Sequence, residues 1–214
     1  MRGIRNRVRI YYSEAIERHG PVPLGVDWSS AASQYLRFLQ LLQICDFDRP
    51  FSLNDFGCGY GALLDYLAWR HRGARVTYHG IDLSPSMIAA ATQRWARRPH
   101  TTFRVGSRCV KMADYSVASG VFNVRLGQPV EQWEAYVEQI LRDLCDHSRI
   151  GFAVDFMSPH DVAPTENELY RTPRSRWIAF CRRELGCVVR PLAGYGLREF
   201  TLLARRRSAG SRKR

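Results

Sequence analysis

The feature that most constrains the fold is a glycine-rich turn, Gly57-Cys58-Gly59-Tyr60-Gly61, which follows an apolar segment and precedes a helical one. Glycine at these positions lets a ligand approach the backbone closely, because side chains there would collide with it. A helix that starts directly after the turn presents free N–H groups to a carboxylate or phosphate. The pattern therefore predicts a ligand-binding turn between the first strand and the helix that follows it.

The rest of the chain alternates strand-like and helix-like segments, which predicts a mostly parallel sheet with helices on both faces. The predicted strands cover residues 51–56, 75–81, 101–105, 115–123, 150–157, 187–192 and 200–205. The predicted helices cover residues 5–19, 62–70, 85–97, 129–145 and 174–185, and a further one begins near residue 30. The last two strands flank a glycine-containing turn and should form a hairpin-like end.

Serine residues mark two of the predicted helix starts. Ser29 or Ser30 can cap the helix that carries the apolar stripe up to Ile44. Ser84 can cap the next helix but one, with Pro85 at its first position, where a missing backbone N–H costs nothing. Three parts are expected along the chain: a lid or cap segment at 1–28, a main domain at 29–205, and a basic tail at 206–214 that is predicted to be disordered.

The formal net charge of +12 raises the question of nucleic-acid binding. Six positive charges lie within residues 205–214, so much of the basicity belongs to the tail. No apolar run reaches the roughly 18 residues of a membrane span, and the basic N-terminus lacks the apolar stretch of a secretory signal. We therefore expect a cytoplasmic location and no membrane contact, with nucleic-acid binding kept as an alternative that is not favoured.

The six cysteines form no C-x-x-C pair and no cluster with histidine at zinc-ligand spacing. We therefore expect no metal site, and we expect the thiols to be reduced and mostly buried.

An acidic residue follows the glycine turn at the end of the next predicted strand. Asp82 ends the second predicted strand, 25 residues after Gly57. A carboxylate there can accept hydrogen bonds from both hydroxyls of a ribose. The turn also satisfies G-x-G-x-x-G/A, the fingerprint of dinucleotide-binding proteins. These residues alone therefore predict a nucleoside ligand without choosing between cofactors.

Two longer motifs resemble those of one enzyme family. Asp55-Phe56-Gly57-Cys58-Gly59-Tyr60-Gly61 resembles motif I of class I S-adenosylmethionine-dependent methyltransferases, D-x-G-C-G-x-G. Gly80-Ile81-Asp82-Leu83-Ser84-Pro85-Ser86-Met87-Ile88 resembles their motif II, and the order of elements is similar from about residue 29 to residue 205. The resemblance implies a Rossmann-like, seven-stranded, mostly parallel sheet with an antiparallel last strand and helices on both faces. It also implies S-adenosylmethionine as cofactor.

The resemblance implies cofactor contacts at Asp55, Gly57, Cys58, Gly59, Asp82, Leu83, Met87 and Ser107. Asp55 would contact the amino group of the methionine moiety, and Asp82 would hold the ribose hydroxyls. Leu83 would pack on the adenine, whereas Met87 would lie near that ring or in the helix core. Ser107 lies where the family usually carries an acid that contacts the adenine amino group, so this contact departs from the family pattern.

The acceptor side carries weaker signals, and three residues are candidates for catalysis. Asn123 is the polar group at the predicted end of the fourth strand, which faces the methyl group in this family. Tyr12 lies in the N-terminal segment that often closes over the cofactor, where its ring could touch the sulfonium. His160 follows the fifth strand and could act as a general base.

The sequence lacks the motifs of several specialised methyltransferases. There is no N/D-P-P-Y/F motif of amino-group methylation on adenine or glutamine, and no Pro-Cys nucleophile. We therefore expect a methyltransferase that acts on a small molecule at an N, O or C atom. An RNA or protein methyltransferase that uses the arginine-rich tail, and a non-catalytic S-adenosylmethionine-binding protein, stay open. The acceptor, the need for a base and the oligomeric state are not fixed by the sequence.

Overall fold

The computed structural model describes residues 1–26, 28, 30–159 and 169–207. Its helices are α1 (Arg2–His19), α2 (Ala31–Leu41), α3 (Ala62–Arg70), α4 (Pro85–Arg94), α5 (Val130–Asp146) and α6 (Arg174–Arg183). Short 3-10 helices cover Pro23–Val26 and Leu42–Ile44. The strands are β1 (Phe51–Phe56), β2 (Val76–Asp82), β3 (Thr101–Val105), β4 (Ala113–Ala118), β5 (Ser148–Met157), β6 (Val188–Ala193) and β7 (Glu199–Arg205).

The seven strands form one sheet in the order β3-β2-β1-β4-β5-β7-β6. The pairings among β1 to β5 are parallel, whereas β7 runs antiparallel to both β5 and β6. The predicted Rossmann-like sheet with an antiparallel last strand is therefore confirmed. The chain builds β1, β2 and β3 in one direction and then returns to place β4 on the other side of β1. The edges of β1 and β4 thus form the point where the strand order reverses, which is where such sheets bind ligands.

Two hydrophobic clusters fill the space on the two sides of the sheet. One cluster contains the buried faces of α5 and α6, including Trp133 and Trp177. The other contains the buried faces of α2 and α3, including Phe38 and Leu64. Helix α1 contributes residues to both clusters, and Tyr12 packs against both. The N-terminal helix is therefore packed against the body of the domain.

Local sequence explains where two helices begin. Ser30 precedes α2 and its hydroxyl accepts a hydrogen bond from the N–H of Ser33 at 3.2 Å. Ser84 precedes α4, accepts from the N–H of Met87 at 3.2 Å, and is followed by Pro85. Each side chain satisfies one N–H group that the first helical turn would leave without a partner. The expected capping by Ser84 and by Ser30 is confirmed.

The predicted end of the fourth strand is wrong. Strand β4 ends at Ala118, so residues 119–123 lie in a turn and not in the sheet. The reason is Gly120, whose φ of +70° is incompatible with a strand and whose N–H bonds to the side chain of Asp155. Smaller differences occur elsewhere: α1 begins at Arg2 and not at residue 5, and α4 ends at Arg94.

The cysteines are all free, and every one except Cys45 is buried. This agrees with the expectation of reduced, mostly buried thiols. Among the described residues, no group of three potential ligands could hold a metal ion. None of the described helices is long and apolar enough to cross a membrane. Arg206, just after β7, donates to the carbonyl groups of Cys145 and Ser148, while residues 208–214 lie outside the described part of the chain.

Candidate functional site

A cavity lies at the carboxyl ends of β1, β2 and β4, with about 860 Å³ of empty space, part of which is open to solvent. The glycine turn after β1 forms one wall, and the residues that follow β4 form another. Helix α1 covers the cavity with Val8 and Tyr12, and Trp28 and Phe38 close it on a further side. The site is therefore built from eight separate parts of the sequence, which the fold brings together.

The glycine turn has the backbone shape that only glycine adopts without strain. Gly57 and Gly61 have φ values of +73° and +83°. A Cβ atom at Gly57 would lie 2.5 Å from Cγ2 of Val121, and one at Gly61 would lie 2.9 Å from the ring of Trp95. Glycine is therefore required at both positions for two reasons: another residue would strain the backbone, and its Cβ atom would collide with a neighbouring side chain.

Asp82 joins this turn to the start of α4. One of its carboxylate oxygens accepts from the N–H of Gly59 at 2.9 Å, and the other accepts from the N–H of Ser84 at 2.8 Å. Burial raises the pKa of Asp82, while these backbone donors oppose the rise. A carboxylate has about four lone-pair sites, so Asp82 keeps acceptor capacity for donors in the cavity. The carboxylate is thereby held in place at the cavity wall, where it can accept from a ligand hydroxyl.

Asp55 supplies a second carboxylate at the end of β1. It is buried and accepts a hydrogen bond from the hydroxyl of Tyr78. Burial raises the pKa of Asp55 to about 7, the hydrogen bond from Tyr78 opposes this rise, and the nearby carboxylate of Asp82 adds to it. A positively charged ligand group would relieve both unfavourable effects. The end of β1 is therefore suited to an ammonium or sulfonium group.

The structure brings most of the expected cofactor residues to the cavity. Asp55, Gly57, Cys58, Gly59, Asp82, Leu83 and Met87 all contribute to its lining. The thiol of Cys58 lies against Gly80, where an added Cβ would be 2.9 Å from the sulfur, and Met87 is buried beside Gly59. Ser107 is not part of the described lining, and its hydroxyl accepts a hydrogen bond from Arg5 of α1 at 3.2 Å. Gly106 lines the cavity at this point.

The three catalytic candidates have different surroundings. Tyr12 lines the cavity. Asn123 lies outside the described lining, on the turn beyond β4. Its main-chain carbonyl there accepts a hydrogen bond from the backbone N–H of Tyr170 at 2.8 Å. His160 lies outside the described residues.

Sequence reasoning missed the polar group that does occupy the end of β4. Ser119 directly follows this strand and lines the cavity. Its hydroxyl donates to Asp155 of β5 at 3.1 Å, and the N–H of Gly120 donates to the same carboxylate at 2.7 Å. The one available signal was an acid within the apolar strand Gly151-Phe152-Ala153-Val154-Asp155-Phe156, because a buried carboxylate needs partners.

A buried ion pair supports this corner of the cavity. Arg37 of α2 donates through Nε to Glu199 of β7 at 2.6 Å, and its second donor also contacts this carboxylate. The guanidinium lies 3.7 Å from the ring centroid of Trp28. An added Cβ at Gly120 would be 2.3 Å from Cζ2 of Trp28, so the tryptophan ring fills the space that glycine leaves.

Side-chain hydrogen bonds fasten α1 over the cavity. Ser13 and Ser84 share a hydrogen bond of 2.8 Å, and Ser86 donates to Glu17 at 3.1 Å. Arg5 adds its bond to Ser107. Helix α1 is thus bound to the start of α4 and to the residues after β3, and both of these regions flank the cavity.

These features define a nucleoside site for a positively charged ligand. The cavity is partly covered, it carries the carboxylates of Asp55 and Asp82, and its described lining contains no lysine or arginine. A pyrophosphate group would be poorly accommodated by two carboxylates without a cation. The arrangement therefore favours S-adenosylmethionine over a dinucleotide.

Comparisons with known proteins agree with this class. A family model described as a methyltransferase domain matches residues 54–149. The protein Rv1506c of Mycobacterium tuberculosis (strain ATCC 25618 / H37Rv), whose given name is that of a methyltransferase, is 42% identical over 168 residues, which are 78% of this chain and all of that protein. The chain belongs to the class I S-adenosylmethionine-dependent methyltransferase family.

Solved structures show the same fold at low sequence identity. The magnesium protoporphyrin IX methyltransferase of Synechocystis PCC 6803 superposes with a TM-score of 0.65 at 16% identity, covering 94% of this chain and 99% of that chain. An O-methyltransferase family protein from Burkholderia thailandensis superposes with a TM-score of 0.61 at 17% identity, covering 95% of this chain and 61% of that chain.

Asp82 gives the first test of the site. We expect Asp82→Ala to weaken S-adenosylmethionine binding by roughly a hundredfold or more, because two hydroxyl donors would lose a charged acceptor. Isothermal titration calorimetry measures this affinity, and thermal melting of the free variant checks that it folds. Asp114→Ala is the matched control, since Asp114 lies beside Ser52 at the amino ends of β4 and β1, away from the cavity. Unchanged affinity in a folded Asp82→Ala variant would contradict the assigned role.

Asp55 gives a test that needs no ligand. Its raised pKa means that the folded protein keeps this proton up to about pH 7, whereas the unfolded chain loses it near pH 4. The ionised form therefore costs stability, and the cost grows as the pH rises through this window. We expect Asp55→Asn to gain stability relative to the parent protein between pH 5 and pH 8, by on the order of a few kcal/mol. Urea unfolding at both pH values measures the difference, and a pH-independent difference would rule out the buried-charge explanation.

Proposed function

We propose that this enzyme transfers the methyl group of S-adenosylmethionine to a small-molecule acceptor inside the cavity under α1. The observation that carries the proposal is the partly covered cavity, whose lining combines Asp55 and Asp82 with the residues that follow β4. Because α1 covers this space, an acceptor must fit beside the cofactor. That requirement favours a small molecule over a folded macromolecule.

Eight residues would hold the cofactor through their side chains or backbone groups. Asp82 would accept from the ribose hydroxyls, and Asp55 would balance the charge of the methionine amino group. Gly57, Cys58 and Gly59 would lie along the methionine and ribose with their backbone. Leu83 and Met87 would pack beside the adenine. Ser107 stays a proposed contact to the adenine, because Arg5 donates to its hydroxyl oxygen and leaves the hydroxyl hydrogen for the ligand.

S-adenosylmethionine supplies a methyl group on a positively charged sulfur, which a nucleophile displaces in line. The protein must align the nucleophile and keep water out. Tyr12 and Val8 would exclude water from above, and Tyr12 keeps its proposed role beside the sulfonium. The turn from Ser119 to Val121 would form the floor on which the acceptor rests.

The names of related structures support a small acceptor. The superposing proteins include the magnesium protoporphyrin IX methyltransferase, a human N-acetylserotonin methyltransferase and a mitomycin 7-O-methyltransferase. Each of these names describes a small-molecule acceptor for that protein.

A cytoplasmic location is part of the proposal, and six free cysteines agree with a reducing compartment. Residues 1–28 as a lid and residues 206–214 as a basic tail are also retained as proposals.

Methyl transfer itself tests the proposed function. We expect the protein to move a radiolabelled methyl group from S-adenosylmethionine to a low-molecular-weight compound in a metabolite extract. Chromatography and mass spectrometry of the labelled fraction identify the product. The Asp82→Ala variant should give no labelled product at the same cofactor concentration.

Two other results would each overturn the proposal. Label recovered only in RNA or protein would establish the macromolecular alternative, in which the arginine-rich tail binds the substrate. Tight cofactor binding with no transfer to the extract, RNA or protein would indicate a non-catalytic binding protein.

A further inference from the structure

The hydroxyl of Ser119 is the polar side-chain group that follows β4 at the cavity wall. It lies beside Gly120 and Val121, which also line the cavity. Val121 contacts the position above Gly57, because a Cβ there would be 2.5 Å from its methyl carbon. Ser119 is therefore close to the part of the glycine turn that the proposed function assigns to the methionine portion of the cofactor.

The hydrogen of this hydroxyl already has a partner. Ser119 donates to Oδ2 of Asp155 at 3.1 Å, and the N–H of Gly120 donates to Oδ1 at 2.7 Å. An ionised carboxylate can only accept hydrogen bonds, whereas a serine hydroxyl has one donor and two acceptor sites. Because its donor is used by Asp155, Ser119 can offer the cavity only an acceptor.

The surroundings of Asp155 keep this arrangement in place. Asp155 has no exposed surface and is fixed by two donors on the β4 side. Burial raises the pKa of Asp155 to about 7, the carboxylate of Glu199 adds to this rise, and the guanidinium of Arg37 opposes it. The ionised form, which makes Ser119 an acceptor toward the cavity, is therefore the main form above about pH 7. The hydroxyl of Tyr195 is held near the same cluster by Thr201 at 3.1 Å.

We propose that Ser119 binds the nucleophilic group of the acceptor by accepting its hydrogen bond, and that Asp155 is the positioning residue that gives Ser119 this polarity. The acceptor then presents an O–H or N–H group, and the methyl group is added to oxygen or nitrogen and not to carbon. This inference rests on the proposed function, since it assigns the substrate class of the same cavity.

The proposal also explains how product differs from substrate. A hydroxyl group has one hydrogen, and methylation replaces it: the C–O bond forms as the S–C bond of S-adenosylmethionine breaks, S-adenosylhomocysteine leaves, and the hydroxyl proton passes through Ser119 to the carboxylate of Asp155. The methylated oxygen can no longer donate to Ser119, so two acceptors face each other. We therefore expect the site to bind a hydroxyl compound more tightly than its methyl ether, which favours product release.

Phenol and anisole form a matched pair of probes for this preference, because they differ by the methyl group on one oxygen. Their affinities are measured by ligand-observed NMR, with and without saturating S-adenosylhomocysteine. We expect the parent protein to prefer phenol by about three- to tenfold, the range of one net hydrogen bond. Ser119→Ala should bind the two compounds equally.

Asp155→Asn separates a positioning role from a purely structural one. The amide can accept from Gly120 and donate to Ser119, which turns the serine hydrogen toward the cavity. We expect this variant to bind anisole more tightly than the parent protein does and to lose the preference for phenol, because a donating Ser119 can bond to the oxygen of either compound. Loss of packing alone would not produce tighter anisole binding. Ser52→Ala and Asp114→Asn are the matched controls, because they alter a serine–aspartate hydrogen bond of 2.7 Å at the opposite end of the sheet. Both should keep the parent preference.

Equal affinity of the parent protein for both probes, or no detectable binding of phenol at its solubility limit, would contradict the proposal. So would a phenol preference that survives Ser119→Ala, or an identified product methylated on carbon. Failure of the proposed function has a different signature, in which the phenol preference and its loss in Ser119→Ala are intact but no compound is methylated.

Discussion

The site depends on one topological constraint, the reversal of strand order beside β1. The connection that leaves β1 runs toward β2, whereas the chain later returns to place β4 on the opposite side. The two turns at the carboxyl ends of β1 and β4 therefore lead away from each other and leave the sheet edge open between them. Asp55 pairs in register with Gly80 on one side and Val117 on the other, so the acids at the ends of β1 and β2 and the turn after β4 are neighbours by necessity.

The site also concentrates buried carboxyl groups at the carboxyl ends of the strands. Asp55, Asp82 and Asp155 lie near the carboxyl ends of β1, β2 and β5, and burial raises the pKa of each carboxyl group. Each acid has specific donors: a tyrosine hydroxyl, two backbone N–H groups, or a backbone N–H with a serine hydroxyl. The first two acids face the cavity and would be stabilised by a cationic ligand. The third faces away and controls the hydroxyl that the cavity presents.

Local sequence was sufficient wherever the interaction is local. The strand bounds of β1 and β3, the helix bounds of α3, and the cap at Ser84 follow from short apolar runs, glycine and the serine–proline pair. The seven-stranded sheet followed from the order of these elements together with the family resemblance. The lining residues from Asp55 to Met87 were predictable because they belong to two continuous motifs.

The remaining site residues could not be predicted because their partners are distant in sequence. Ser119 and Asp155 are 36 residues apart, and Arg37 and Glu199 are 162 apart. The interpretation of Asn123 relied on a strand that continued through Gly120, and the hydrogen bond from Gly120 to Asp155 ends that strand earlier. Ser107 was assigned by its position in a motif, but the contact from Arg5 of α1 is visible only after folding.

The central claim is that one cavity holds the nucleoside on Asp82 and presents the acceptor to the turn after β4. A crystal structure of the complex with S-adenosylhomocysteine tests this claim most directly. The account predicts both ribose hydroxyls within hydrogen-bond distance of the Asp82 carboxylate, the methionine amino group beside Asp55, and the sulfur facing the Ser119–Val121 turn. A nucleoside bound away from Asp82, or a sulfur facing away from that turn, would contradict it.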